Sequence, residues 1–450
     1  VRQGPSGTHT ILKGIKMAET EMINKATIVI TVLLSLMAIL VPRKYILLPY
    51  IIGACFVPTD QRIIIMGLDF TVLRILVAAG VARIFVRNEN VMIHWNKFDY
   101  LVFMWVICGA FVYSIQWMTG RAIINRCGVL FDVIGLYWLF RKTVRSWDDV
   151  KTAINFYAIC IIALAPFVAM EWMSGDNPFG ALGRVTTLIR DEEYRCQAAF
   201  PHSIMLGLFC AILMPLFVGF ARMGKTRILY VLATAALLFI IAATRSSTPI
   251  LTFAAVIFLL CMYGFRKFAY AAGWAFLVTI VGLHILMNKP VWHLFARINV
   301  LGSSTGWHRF NIIDQAIKHF SQWAILGCKD TNSWGWGLGD VTNQFVLEGV
   351  RGGFVTLFLF ILMLSVGLKN ILNICLHERQ RAKRFMLWSI FVMMLAHCIS
   401  FLGSSYFGQI TMLYYMSLSI TGLAIELDTI NDFIIITNPQ DKEYISRAIA

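Results

Sequence analysis

A succession of apolar stretches, separated by short basic links, constrains this chain more than any other feature. The hydrocarbon core of a bilayer is about 30 Å thick and offers the backbone no water, so about 20 apolar residues in a row fold there as a helix. Thirteen stretches are candidates: 26–41, 45–57, 63–86, 98–117, 123–140, 152–172, 203–220, 228–244, 249–263, 269–287, 354–368, 385–402 and 407–427. The second is short enough to be tilted or half inserted. Hydrophobic residues make up 58% of the 450 residues and charged ones 14%, a balance no soluble domain of this length needs. The expected fold is an all-α polytopic integral membrane protein of about 12–13 transmembrane helices. Residues 26–427 form its single transmembrane domain, 1–25 a poorly ordered N-terminal segment, and 428–450 a surface-lying tail.

The net charge of +15 does not point to nucleic acid, because Lys and Arg lie in the links and form no basic face. Dense basic links at 141–151, 222–227, 266–267 and 369–384 place those segments in the cytoplasm. Counting spans from them puts 173–202 and 288–353 outside. The same parity sends the N-terminus outside, against the pull of Lys13, Lys16 and Lys25. The segment from Gly302 to Gly353 is the longest run that cannot lie in lipid, and a long loop held on one face is where chemistry is expected. Cys196 and Cys328 fall in the two outer loops. On an oxidising side, a bridge between them would staple the loops together.

Three arginines stand near helix starts on that side. Arg195 precedes Pro201, Arg245 precedes Pro249, and Arg309 opens a loop helix, on one arc with Phe310, Ile313, Ala316, Ile317 and Phe320. Arginine beside a helix N-terminus suits an anion, and three on one face suit a polyanion such as a diphosphate. Snorkelling to lipid phosphates is the bland alternative. Asp340 and Glu348, in GLGDVTNQFVLEGVRGGF, are the carboxylates able to take a proton from a sugar hydroxyl. An N-cap role for Asp340 and an ion pair with Arg351 for Glu348 compete with that reading. Asn343 and Trp336 are candidate sugar contacts, and Trp307, Trp323 and Trp334 also offer flat faces. His202 and His308 are candidate phosphate contacts. The histidine spacing fits no metal site, and no nucleotide loop is present, so neither metal nor cofactor is expected.

These pieces resemble the O-antigen ligase and Wzy-type polysaccharide polymerase superfamily. RCQAAFPHSIMLG, TRSSTPILTF, GWHRFNIIDQAIKHFSQWAILGC and TNQFVLEGVRGGF carry the resemblance, over about Arg195 to Gly353. It implies a GT-C-like membrane fold with one long extracytoplasmic loop containing short helices. The implied activity is inverting, metal-independent glycosyl transfer on the periplasmic side of a bacterial inner membrane. The implied donor is a polyprenyl-diphosphate-linked oligosaccharide, held by Arg195, Arg245 and Arg309. The acceptor is a glycan, and a chain-length regulator is an expected partner. Family ligases carry a His directly before the Asn, where this chain has Thr342. The departure favours a polymerase of exopolysaccharide or O-antigen repeat units over a ligase to lipid A core. A peptidoglycan polymerase of the shape, elongation and division type shares helices but not these motifs. A transporter is the alternative of another class, with Asp132 as the clearest mid-span charge.

Overall fold

The computed structural model describes residues 24–437, apart from 66–67, 90–91, 184, 191–192, 224–225 and 298–304. The expected poorly ordered segment 1–25 and the tail 428–450 fall largely outside these. Helices dominate. In chain order they are α1 (Lys25–Leu40), α2 (Leu47–Phe56), α3 (Val72–Val86), α4 (Lys97–Trp117), α5 (Gly120–Thr143), α6 (Trp147–Ser174), α7 (Ser203–Phe220) and α8 (Arg227–Ala243). Then come α9 (Ser247–Cys261), α10 (Ala269–Leu286), α11 (Leu294–Arg297), α12 (Thr305–Lys318), α13 (Phe320–Trp323), α14 (Gln344–His377), α15 (Arg381–Phe401) and α16 (Ile410–Thr437). Two antiparallel hairpins interrupt them, β1–β2 (Arg62–Ile65, Leu68–Thr71) and β3–β4 (Leu188–Arg190, Glu193–Arg195).

Eight of the described helical segments are long and apolar enough to cross a membrane, and α1 and α8 are shorter apolar helices. The protein is therefore an all-α, multi-pass membrane protein, with fewer full-length spans than the expected 12–13. Two stretches account for part of the difference. Residues 45–57 yield only a ten-residue helix. Residues 63–86 open as a strand, because β-branched Ile63–Ile65 favour extended backbone, and the helix waits for the Thr71 cap. The core sits around α7, α15 and α16, whose apolar windows are 83%, 78% and 83% buried. α7 is apolar on all sides, as a helix surrounded by others must be.

The basic links gather on one face. Arg141 donates to Asp99 and Glu426 at 2.9 Å each, Arg145 reaches Glu426 at 2.8 Å, and the Tyr137 hydroxyl donates to Asp99 at 2.5 Å. Arg141, Asp99 and Glu426 are buried, so each charge is compensated by another. Arg43 lies 3.6 Å from Asp149 beside this network. Asn24 lies at the opposite, loop face, where its side chain donates to the Ala181 carbonyl and its N–H to Gln61. α1 thus starts on the same face as the 173–202 loop, as span parity required and the N-terminal lysines did not.

Two features shape the loop face. The helical run Ser247–Leu286 is 40 residues long, about 60 Å if straight. It cannot be straight, because α12 binds both of its ends: Arg309 donates to Thr248, and Trp292, just past α10, donates to Asp314. The chain turns back in the 3-10 segment Met262–Phe268. α10 has no buried residue, and Tyr270 ties it to Asn373 of α14 at 2.6 Å. α10 therefore stands clear of the bundle core, and α12 lies across the loop-face ends of α9 and α10. The second feature is a break in α14 at Gly353, where φ is 71° and ψ −180°. An added Cβ there would sit 2.3 Å from the Ile325 carbonyl oxygen, so only glycine fits. Before the break, Glu348 accepts from the Trp105 indole at 2.9 Å. Trp105 is twelve residues, about 18 Å of helical rise, below the loop-face end of α4. The first turns of α14 are therefore re-entrant, dipping into the bundle before the chain crosses it.

Candidate active site

A turn at Thr244–Thr248 joins α8 to α9. Arg245 occupies it with φ 44°, a left-handed conformation that costs a non-glycine residue about 1–2 kcal/mol. Its guanidinium pairs with Glu193 at the start of β4. Arg195, at the end of β4, donates to Ser246 Oγ at 2.6 Å and toward the Thr244 carbonyl at 3.5 Å. Arg309 of α12 donates to Thr248 Oγ1 at 2.6 Å. The three arginines, 114 or fewer residues apart in sequence, converge on one five-residue turn. The carboxylate of Glu171, at the end of α6, fixes the approach of β4. It accepts from the N–H groups of Gln197 at 3.1 Å and Ala198 at 2.9 Å, and from the side chains of Asn177 and Thr187. The Cys196 N–H then ties β4 to the Ala243 carbonyl.

The three guanidiniums are not equivalent. Arg245 is about one-third exposed and already has a carboxylate partner. Arg309 is only 8% exposed and has no carboxylate of the described residues within 4 Å. Burial holds its guanidinium below the usual arginine range. A buried cation whose partner is a hydroxyl lacks the countercharge that normally repays its desolvation. The buried arc of α12 is Arg309, Ile312 and Ala316; Ile317 and Phe320, expected on it, are exposed. The arc is narrower because the helix ends at Lys318, before it can carry Phe320 onto the same face.

Next to Arg309 runs the segment Leu402–Tyr406. A Cβ on Gly403 would lie 3.4 Å from Arg309 Nε. Asn343, buried, caps α14 by accepting from the Val346 N–H at 3.1 Å and donates to the Leu402 carbonyl at 3.2 Å. Gln344 accepts from the Tyr406 N–H at 2.9 Å and donates to Glu348 at 2.7 Å. Asn343 and Gln344 thus tie the segment beside Arg309 to the carboxylate of Glu348. Asn343, not Asp340, is the N-cap. Asp340 is exposed and lines a cavity of about 260 Å³ with Tyr113, Trp117, Thr331, Arg351 and Ser405. Glu348 forms no ion pair with Arg351; its partners are the Trp105 indole and Gln344.

The other candidates are scattered. His202 caps α7, its Nδ1 accepting from the Ile204 N–H, so that nitrogen is committed to the helix. His308 is half-buried beside Arg309. Trp336 is 99% exposed, whereas Trp323 and Trp334 are buried and serve the loop's own core, with Trp334 stacked on His319. The Cys196–Cys328 bridge is not formed. Cys196 is fully buried against the Val168 carbonyl, and burial pushes its thiol up to about 12. Asp132 is bound by Arg74 through both carboxylate oxygens, at 2.9 and 2.6 Å. Reading the sequence alone missed Glu171, Glu193, Ser246, Thr248 and Gln344, although the hydroxyls of TRSSTP were visible as helix caps. No family model matches the sequence, and no curated protein matches it.

Proposed function

We propose that the protein is a membrane glycosyltransferase that transfers or polymerises polyprenyl-diphosphate-linked glycan units at its loop face, taken as the periplasmic face of a bacterial inner membrane. The observation that carries this reading is Arg309: a buried guanidinium with no carboxylate partner among the described residues, in a cluster of three, beside α9 and the exposed helix α10. A diphosphate supplies the missing charge, and its polyprenyl tail stays in the bilayer beside α9 and α10. In the reaction a glycan acceptor hydroxyl attacks the anomeric carbon, whose bond to the diphosphate breaks. Charge grows on the leaving oxygen, and fixed guanidiniums stabilise it without reorganising. Glu348 is the proposed base, below the Leu402–Tyr406 segment. A chain-length regulator is a proposed partner.

Thr342 is half-buried, with its N–H on the Asp340 carbonyl, and cannot replace an imidazole base. A polymerase therefore remains the preferred form over a ligase. One observation favours a proton-coupled transporter instead: the depth of Glu348 in the bundle. Gene deletion separates the readings. Accumulation of single lipid-linked repeat units supports the polymerase, whereas normal polymer with lost solute uptake supports the transporter.

A further inference from the structure

Opposite the arginine turn, across the Leu402–Tyr406 segment, lies a second set of charges that the proposed chemistry leaves unused. Arg126 of α5 lies over the Tyr113 ring, 3.5 Å from its centroid. Its Nε is buried and has no hydrogen-bond partner. Arg351, at the top of the re-entrant turns and exposed, lines one cavity with Tyr113, the ring on which Arg126 lies. Among the described residues, neither arginine has a carboxylate within 4 Å. Both polar atoms of Gln116 are also buried and unpartnered. Arg126 thus keeps a buried, unpaired donor, which an anion entering beside it would satisfy. One carboxylate, Glu348, serves two guanidiniums here and is itself held by Trp105 and Gln344.

The cavity that Arg351 lines is walled by the aromatic rings of Tyr113 and Trp117, with Asp340, Thr331 and Ser405 around it. At about 260 Å³ it is smaller than the roughly 300 Å³ where pockets for drug-sized molecules begin, which suits one sugar ring. Aromatic faces suit the apolar face of such a ring, and hydroxyl and carboxylate groups suit its rim. Asp330, which also lines the cavity, is turned to its own loop, accepting from Asn332 at 2.9 and 2.6 Å. Neither Asp330 nor Asp340 forms an ion pair with Arg351, and Lys329 lines the same cavity.

We propose that this cavity takes a carboxylate-bearing sugar, a uronic acid residue of the acceptor glycan, with Arg351 and Arg126 holding its carboxylate. The assignment rests on the glycosyltransferase reading and narrows its substrate to acidic glycans. Arginine suits the task because its planar fork meets both carboxylate oxygens. Ser405 lines this cavity and Gly403 lies beside Arg309, so acceptor and donor would flank the five-residue segment Leu402–Tyr406.

The test is direct binding to purified full-length protein in nanodiscs, with no lipid donor present. The probes are fluorescent oligomers of glucuronate, galacturonate and mannuronate, each paired with its carboxyl-reduced counterpart, identical except for the charge. At least one acidic oligomer should bind tenfold or more tighter than its reduced partner. That preference should vanish in Arg351→Gln and Arg126→Gln, and Arg351→Lys should restore part of it. Wild-type protein binding reduced and acidic oligomers equally, or none of the three, overturns the proposal without recourse to any variant. Pyrophosphate competing as well as the free uronates also overturns it, since the cavity would then be a phosphate site. Because no transfer is read, a failed acidic preference with polymer synthesis intact rejects the substrate class and leaves the transferase reading standing.

Discussion

Replacing Arg309 by methionine sets function against stability. Breaking a buried ion pair by removing one partner costs about 3–5 kcal/mol, because the other charge is left uncompensated. Arg309 is already in that uncompensated state, with its bond to Thr248 as partial relief. A hydrogen bond from a charged group is worth about 1.5–3 kcal/mol. Methionine forfeits that bond but keeps an apolar chain against Ile312 and Ala316 and removes the desolvated charge. Arg309→Met should therefore change stability by no more than about 1 kcal/mol, or raise it. Turnover should fall, since losing a charge-assisted phosphate contact of about 1.5–3 kcal/mol lowers the rate roughly 10–150-fold. Arg141→Met is the contrast, because it strands Asp99 in a buried network, leaving Glu426 to Arg145 alone, and should lose about 3–5 kcal/mol. The assay pairs thermal unfolding of the purified variants with polymer made in a deletion strain at matched membrane levels. The reasoning fails if Arg309→Met unfolds as readily as Arg141→Met and makes polymer in proportion to the folded protein left.

Four further outcomes are expected. Glu348→Gln keeps an acceptor for Trp105 and should retain the fold while slowing polymer synthesis about 10²–10⁴-fold; wild-type rates would remove Glu348 as base. Cys196 and Cys328 should both alkylate only after denaturation for Cys196, with intact mass unchanged by reductant, and a two-dalton gain on reduction would show the bridge instead. A diazirine lipid should label Trp274, Phe276 and Leu277, which face different sides of α10, and leave α7 unmarked; labelling confined to one side of α10 would mean that protein covers the other. Burial works to raise the Asp314 carboxyl, but Lys318 and the Trp292 N–H outweigh it and hold the group low. That stabilisation is present above the unfolded value of about 3.9 and is lost as pH falls through the lower folded value. Amide protection in α12, corrected for intrinsic rates, should therefore hold from pH 7 to 5 and fall only in stronger acid, and a loss between pH 7 and 5 would contradict it.

Much of the fold was legible because a bilayer forces one reading on long apolar stretches: 203–220 is a helix with those same limits, and most other long stretches moved by a few residues. The stretch at 63–86 misled because hydropathy does not distinguish a strand from the turn of helix that follows it. The site was legible in part. Arg195, Arg245 and Arg309 were found as charges near helix starts, and the structure does bring them together. Their inequality was hidden, because it depends on Glu193 reaching one of them and no carboxylate reaching another.

The sequence by itself determined that this chain is a multi-pass membrane protein, with short basic links between its spans and two long polar loops. Hydropathy and charge act locally, through transfer energies paid residue by residue, so they can be read along the chain. Only the tertiary structure decided that the start of α14 is re-entrant, that Glu348 lies beside Trp105 some 243 residues away, and that Arg126 and Arg351 share one neighbourhood. Those facts follow from a break at Gly353 and the packing of α4 against α14, and packing between distant segments leaves no periodic trace in either one.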